Sequence, residues 1–226
     1  MAPREWINPR TGESLELPID DHSPTEVAEI GESSYQAWLA YRDFDMGDRS
    51  RVLHTVADAL DAHSAEVVAI ADEESALGEP RLVGEVARTV FQLKLFANAL
   101  AEGSLFPTEV DEAVEGNPPA GRPELVRNMV SLGPVAVFGA SNFPFAFGVL
   151  GGDVASALAA GCSVVVKEHS AHPRLSMKLV EIAQSALRGA SYDSNLFLSV
   201  RGTQAGAHLV QEPRIAAVGF TGSVSG

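Results

Sequence analysis

Gly133-Pro134-Val135-Ala136-Val137-Phe138-Gly139-Ala140-Ser141-Asn142-Phe143-Pro144 is the stretch on which the reading of the fold turns. Val135 to Phe138 reads as a short buried strand, and the small and polar residues after it read as a loop at its carboxyl end. Beyond this loop the pattern alternates. Helical spacing over Ala146 to Ala160 and Arg174 to Leu187, with a shorter helical stretch from Gln204 to Gln211, separates apolar runs at Ser163 to Val166, Leu196 to Val200 and Ile215 to Phe220. Strands of about five residues alternating with helices build right-handed βαβ units around a parallel sheet. The expected fold class is therefore α/β, a doubly wound, Rossmann-like parallel sheet. Open sheets of this kind take ligands at the carboxyl ends of their strands, which makes Gly139 to Pro144 the first candidate site.

Toward the amino terminus the texture is helical. Ser23-Pro24-Thr25-Glu26 reads as a capped helix start, with a helix through Tyr41. Val52, Leu53, Val56, Ala59 and Leu60 form an apolar stripe on a second helix, Asp48 to Ala62. A third is expected from a cap at Ser64 to near Gly78. Val83, Val86, Ala87, Val90, Phe91, Leu95 and Leu100 mark a fourth between Pro80 and Ala101, stopped by Gly103. Pro107, Gly116, Pro118, Pro119, Gly121 and Pro123 then give an extended connector. Two regions are expected, a helical one over 1–123 and a cofactor-binding one over 124–226.

The chain has 226 residues, is 46% hydrophobic and carries a formal net charge of -14. Such a length buries a substantial core. The negative field argues against nonspecific nucleic-acid or anionic-membrane partners, so any anionic ligand must be held by local donors. Glycines and prolines divide the apolar run from Met129 to Val166 into pieces shorter than the roughly 20 helical residues of a membrane span. The opening stretch is polar and broken by proline, unlike a secretory signal, and a cytoplasmic location is expected. Cys162, the single cysteine, excludes an internal disulfide and cysteine-pair metal sites.

The generic GxGxxG, GK[ST], HExxH and GxSxG signatures are absent. What stands instead is the strand followed by Asn142-Phe143-Pro144, the run from Ala155 through Gly161 to Lys167, and Gly219-Phe220-Thr221-Gly222-Ser223. In this order they resemble the aldehyde dehydrogenase superfamily. Gly139 to Pro144, Gly151-Gly152-Asp153, Ala171-His172-Pro173 and Leu77-Gly78-Glu79-Pro80-Arg81-Leu82 are most similar to its ketoglutarate semialdehyde (2,5-dioxovalerate) dehydrogenase branch.

The resemblance implies an oxidoreductase that takes an aldehyde or semialdehyde, with 2-oxoglutarate semialdehyde as the branch's substrate, to a carboxylate. The route is a cysteine thiohemiacetal, hydride transfer to NADP or NAD, and thioester hydrolysis. Asn142 would stabilise the oxyanion; taken alone, it reads as a turn former. Ser141, Phe143, Lys167, His169, Ser170, Gly222 and Ser223 would hold the cofactor, with Lys167 on the adenosine ribose and Gly222-Ser223 at the pyrophosphate. Relatives that prefer NAD often carry glutamate three residues beyond the lysine. Ser170 stands there and favours NADP, whereas Glu168 offers a carboxylate that could take the ribose role.

Cys162, between Gly161 and an apolar strand, reads as a packing residue. The family's nucleophile and general base both follow the Thr-Gly-Ser landmark, so a chain ending at Gly226 is expected to be inactive alone. His169 and His172 lack a third metal ligand, and no metal is expected. The acidic runs read as solvated surface. The full-length protein is expected to form a homo-oligomer. Two other readings stay open on sequence alone, a non-catalytic nucleotide-binding truncation product and a reductase of the acyl-phosphate or acyl-CoA type.

Overall fold

The computed structural model describes residues 4–17 and 20–224. Of the segments read above, residues 1–3 of the opening stretch and Ser225-Gly226 of the closing turn lie outside them. In chain order the elements are β1 (Arg4–Ile7), β2 (Ser14–Leu17), α1 (Pro24–Tyr41), α2 (Met46–Ala62), α3 (Ser64–Ser75) and α4 (Glu79–Ala101). There follow β3 (Glu109–Asp111), β4 (Leu125–Arg127), β5 (Val135–Phe138), α5 (Gly152–Ala159), β6 (Val164–Lys167) and α6 (Pro173–Gly189). A short 3-10 turn (Ser194–Leu196), β7 (Phe197–Val200), α7 (Thr203–Gln211) and β8 (Ala217–Phe220) complete the order.

The starts of α1 and α2 follow local chemistry. Ser23 forms the capping box, its hydroxyl accepting from the Glu26 N–H while the Glu26 carboxylate accepts from the Ser23 N–H at 2.7 Å. Asp45 caps α2 in the same manner, accepting from the Asp48 N–H at 2.7 Å. Ser64, read as a cap, is instead the first residue of α3; His63 occupies the cap and makes no side-chain bond there.

Two hairpins went unread. β1 and β2 pair antiparallel, and the expected extended connector contains β3 and β4, also antiparallel. Strands of three and four residues leave too few apolar alternations to stand out, and the prolines between β3 and β4 mask them further.

β5, β6, β7 and β8 form one parallel sheet in the order β7-β6-β5-β8. Helices cover both faces. Val27 of α1 and Ala205 and Leu209 of α7 pack on Ala136, Val165 and Val200. The alternate residues Val137, Val164 and Val166 turn the other way, into a larger core shared with α2, α4, α5 and α6. Because this core runs from Ala37 to Phe197 without a break, the amino-terminal helices are built onto the sheet. Burying Phe145 or any one of its fully buried leucines contributes about 1.5–3 kcal/mol. No helix among the described residues is long and apolar enough to cross a membrane.

The inward face of α4 differs from the expected one. Leu82, Val86, Val90, Leu93, Ala97 and Leu100 are buried, while Val83, Phe91 and Leu95 are exposed. Two polar residues, Glu85 and Thr89, sit inside the buried stripe and disguise it in a reading based on apolar spacing alone.

Buried polar groups join the layers. Glu74 of α3 accepts the free N–H groups of Arg174 and Leu175 at the start of α6, each at 2.9 Å. His172 is 1% exposed, and its Nε2–H donates to the Ala140 carbonyl at 3.1 Å. Burial holds its pKa down at about 4, against an ordinary 6.5.

Between these two values the unfolded chain binds the proton that the folded chain refuses, so His172 makes stability fall as pH is lowered from about 6.5 to about 4. The contribution is complete above that window. Burial raises the Glu74 carboxyl, which acts in the opposite sense, so the parent must be compared with a variant. In the full-length protein, His172→Gln keeps an N–H donor for Ala140 and removes the titration. Urea unfolding at pH 7 and pH 5 is expected to show a smaller loss of stability in the variant than in the parent. Equal losses would show that His172 is not the group being titrated.

Candidate functional site

The order β7-β6-β5-β8 places the point where strand order reverses at β5 and β8. On one side of β5 the chain continues through α5 to β6, and on the other β8 is reached through α7, so a crevice opens at the carboxyl ends of β5 and β8. The loop after β5 and the segment after β8 therefore frame the candidate site.

The loop after β5 is a compact coil closed by its own backbone. Ala140 N–H donates to the Phe147 carbonyl at 2.8 Å, Phe147 N–H to Phe143 at 3.1 Å and Gly152 N–H to Ala146 at 3.1 Å. A side chain at Gly148 would place Cβ 1.8 Å from the Pro144 oxygen, so only glycine allows the coil to close. Phe145 is fully buried beneath it. Asn142 stands exposed at the outside of the coil.

Three side chains from other elements hold this coil. The Glu85 carboxylate accepts from the N–H groups of Phe145 at 2.8 Å and Ala146 at 3.1 Å. Arg81 Nη2 donates to the Asn142 carbonyl at 2.6 Å, and its guanidinium lies 5.1 Å from the centre of the Phe143 ring. His172 holds the Ala140 carbonyl, as described above.

Between coil, β8 and α7 lies a cleft of about 890 Å³. Of the candidate residues, Ser141, Asn142, Lys167, His169, Gly222 and Ser223 line it. Phe143 does not; its ring packs edge-on against Phe147 at 5.6 Å. Ser170 is exposed and lines a smaller cavity of about 500 Å³, which shares Ser141 with the cleft. The Glu168 carboxylate is buried on another side, accepting from the Ser199 hydroxyl at 2.7 Å, with Arg201 at 3.5 Å. No acidic side chain lines the cleft among the described residues.

Sequence reading missed the wall contributed by α7: Thr203, Gly206, Ala207 and Val210. Gly206 matters most. A Cβ there would lie 3.2 Å from Lys167 Cγ and 3.3 Å from a Phe138 ring carbon, so glycine lets α7 approach the end of the sheet closely. The small residues Ala205-Gly206-Ala207 in an amphipathic helix were the available signal. Glu85 and Arg81 were missed too, although a carboxylate inside the buried stripe of α4 marks a group with an assigned partner.

Cys162 is buried and precedes β6, at the amino edge of the sheet, whereas Asn142 follows β5 at the carboxyl edge. The His169 and His172 rings lie 5.6 Å apart. Among the described residues, no cluster of three or more His, Cys, Asp or Glu side chains forms a metal site.

The chain is 38% identical over 201 residues to an alpha-ketoglutaric semialdehyde dehydrogenase of Acinetobacter baylyi, covering 89% of this chain and 38% of that protein. It is 39% identical over 223 residues to alpha-ketoglutaric semialdehyde dehydrogenase 2 of Azospirillum brasilense, covering 97% of this chain and 42% of that protein. The chain thus spans about two fifths of the length of these curated relatives. Among solved structures, an aldehyde dehydrogenase from Brucella melitensis biovar abortus superposes with a TM-score of 0.82 at 20% identity, over 99% of this chain and 44% of that one. Glyceraldehyde-3-phosphate dehydrogenase GapN from Methanocaldococcus jannaschii, complexed with NADP, gives 0.80 at 20% identity, over 97% and 46%. At that identity the likeness is one of fold. With the model of the aldehyde dehydrogenase family matching residues 2–225, the chain belongs to that family.

Proposed function

We propose that this segment is the cofactor-binding part of an NADP-linked dehydrogenase that also accepts NAD, with 124–226 forming the cradle and 1–123 bracing it. The observation that carries this reading is the cleft at the strand-order reversal, lined by Lys167 and His169 and by no acid among the described residues, in a chain of net charge -14. An acid-free lining suits a dianionic pyrophosphate and an added ribose phosphate.

Lys167 leaves β6 half-buried against Gly206 and Phe138, so its ammonium is directed by packing as well as by charge; we place it on the adenosine ribose. Gly222 and Ser223 follow β8 and offer backbone N–H groups to the pyrophosphate. His169 and Ser141 border the same cleft, and Ser170, exposed beside it, brings no negative charge against a ribose phosphate. Phe143 contributes by packing against Phe147 and supporting the coil that presents Ser141 and Asn142. The buried position of Glu168 removes the residue that could have repelled that phosphate.

A bound nicotinamide cofactor would supply the acceptor for the hydride that leaves the substrate carbon. The chain's own part in the chemistry is Asn142, whose amide would donate to the oxygen that becomes negative when a thiolate from outside this segment attacks the aldehyde. A neutral donor held in place beforehand lowers that barrier by about 3–4 kcal/mol. The similarity to alpha-ketoglutaric semialdehyde dehydrogenases supports a semialdehyde carrying a carboxylate as the substrate class. It also favours aldehyde oxidation over the acyl-phosphate and acyl-CoA reductase reading.

Fluorescence titration of the full-length protein is expected to show NADP binding at least as tightly as NAD, with Lys167→Ala weakening both. A clear preference for NAD would mean that a carboxylate reaches the ribose after all.

Asn142→Ala in the full-length protein is expected to lower kcat by about a hundredfold or more, with cofactor affinity nearly unchanged. Turnover within about threefold of the parent would return Asn142 to the role of a turn residue.

A further inference from the structure

Asn142 is exposed at the outside of a coil, so the direction of its amide is set by the backbone that carries it. That backbone is gripped at two points by one helix. From α4, Arg81 Nη2 holds the Asn142 carbonyl at 2.6 Å, and the Glu85 carboxylate holds the N–H groups of Phe145 and Ala146 at 2.8 and 3.1 Å. Residues 81 and 85 are four apart and share one face of the helix, so the two grips act as a single clamp. Arg81 also lies over the Phe143 ring, and Arg88, one turn beyond Glu85, lies over Phe147 at 5.4 Å.

The arrangement is costly if its purpose is packing. Glu85 is only 5% exposed and lies between Leu82, Val86 and Thr89 in the buried stripe of α4, where an apolar residue would fill the position without desolvating a carboxylate. A carboxylate is retained at such a site when backbone donors need it. Those donors belong to the coil that follows Asn142.

We infer that Glu85 and Arg81 are positioning residues that clamp the Asn142 coil from α4 and fix the direction of the oxyanion-stabilising amide. The inference rests on the oxyanion reading of Asn142. The clamp acts through backbone atoms, so it makes no demand on substrate or cofactor contact. A small displacement of a preorganised donor weakens its interaction with the developing charge much more than it weakens ground-state binding. Loss of the clamp therefore falls on kcat.

The test is a double-mutant cycle in the full-length enzyme, using Arg81→Ala, Glu85→Ala, Glu85→Gln and Asn142→Ala. Arg81→Ala, an exposed site, keeps the experiment open if Glu85→Ala fails to fold. Arg81→Ala is expected to lower kcat about tenfold or more while the dissociation constant for NADP stays within about twofold. Glu85→Gln, which keeps an acceptor oxygen for the two N–H groups, is expected to retain most of the activity that Glu85→Ala loses. In the Asn142→Ala background the Arg81 substitution should change kcat by less than about twofold, because the group it positions is gone.

Full additivity, with Arg81→Ala costing the same factor in both backgrounds, would overturn the assignment, as would parent-like kcat in Arg81→Ala. A parallel rise in the NADP dissociation constant would also overturn it, by showing general damage to the fold. Parent-like turnover in Asn142→Ala alone would remove the oxyanion reading and the clamp's purpose with it. The single Asn142 variant therefore reports on the first reading and the cycle on the second.

Discussion

Everything at the candidate site depends on β8 returning to pair with β5 after β6 and β7 have extended the sheet the other way. The pairing is in register from Val135 with Ala217 to Phe138 with Phe220. It brings Thr221-Gly222-Ser223 level with Gly139-Ala140-Ser141, although about eighty positions of chain separate them. The tilted pair of Phe138 and Phe220 rings, 5.9 Å apart, marks that junction. A one-residue slip of β8 would turn the Phe220 ring to the opposite face, away from Phe138, and shift the glycine turn along the cleft. The site is thus a consequence of strand order and register, and the residues that line it come from β5, β6, α7, β8 and the segments that follow the three strands because the topology collects them there.

A second constraint comes from the helical layer. Two buried glutamates on neighbouring helices, Glu74 of α3 and Glu85 of α4, each accept a pair of backbone N–H groups belonging to the sheet region. Both are desolvated, and burial shifts the Glu74 carboxyl upward even against the pull of its two N–H partners. Loss of either side chain would leave two backbone N–H groups without their partner. The two glutamates tie the start of α6 and the coil after β5 to the same helical scaffold. His172 links the two directly, standing at the start of α6 and donating to Ala140 in the coil. Rigidity at the site is therefore built from the amino-terminal helices, which themselves lie outside the cleft.

This explains which parts were legible in the sequence. Helices and parallel strands announce themselves through apolar spacing, and the strands at Val135, Val164, Phe197 and Ala217 fell within two residues of the apolar runs that suggested them. The cleft was legible because Asn142 and Gly222 each follow a strand and Lys167 ends one. What spacing does not encode is partnership at long range. Nothing local to Glu85 says that its acceptors' partners lie sixty residues on, and nothing local to Gly206 says that Lys167 will pass within van der Waals reach. Ser170 shows the limit from the other side. Counting three residues beyond Lys167 assumes that the chain continues along the cleft, whereas after His169 it turns toward the smaller cavity and the cap of α6.

The same geometry settles what Cys162 can contribute. Parallel strands have all their amino ends on one edge, and Cys162 enters β6 on that edge while Asn142 leaves β5 on the other. Four residues of strand at about 3.3 Å each set the two edges roughly 13 Å apart. Covalent attack with oxyanion stabilisation requires thiol and amide to meet at one carbonyl group, with the reacting atoms about 3–3.5 Å apart. No rotamer of Cys162 closes that gap, and its surroundings, 3% exposed beneath the helical layer, keep it packed where it is. If Asn142 is the oxyanion donor, the thiol that serves it must therefore come to the carboxyl edge, where Val218 and Phe220 of β8 are exposed among the described residues.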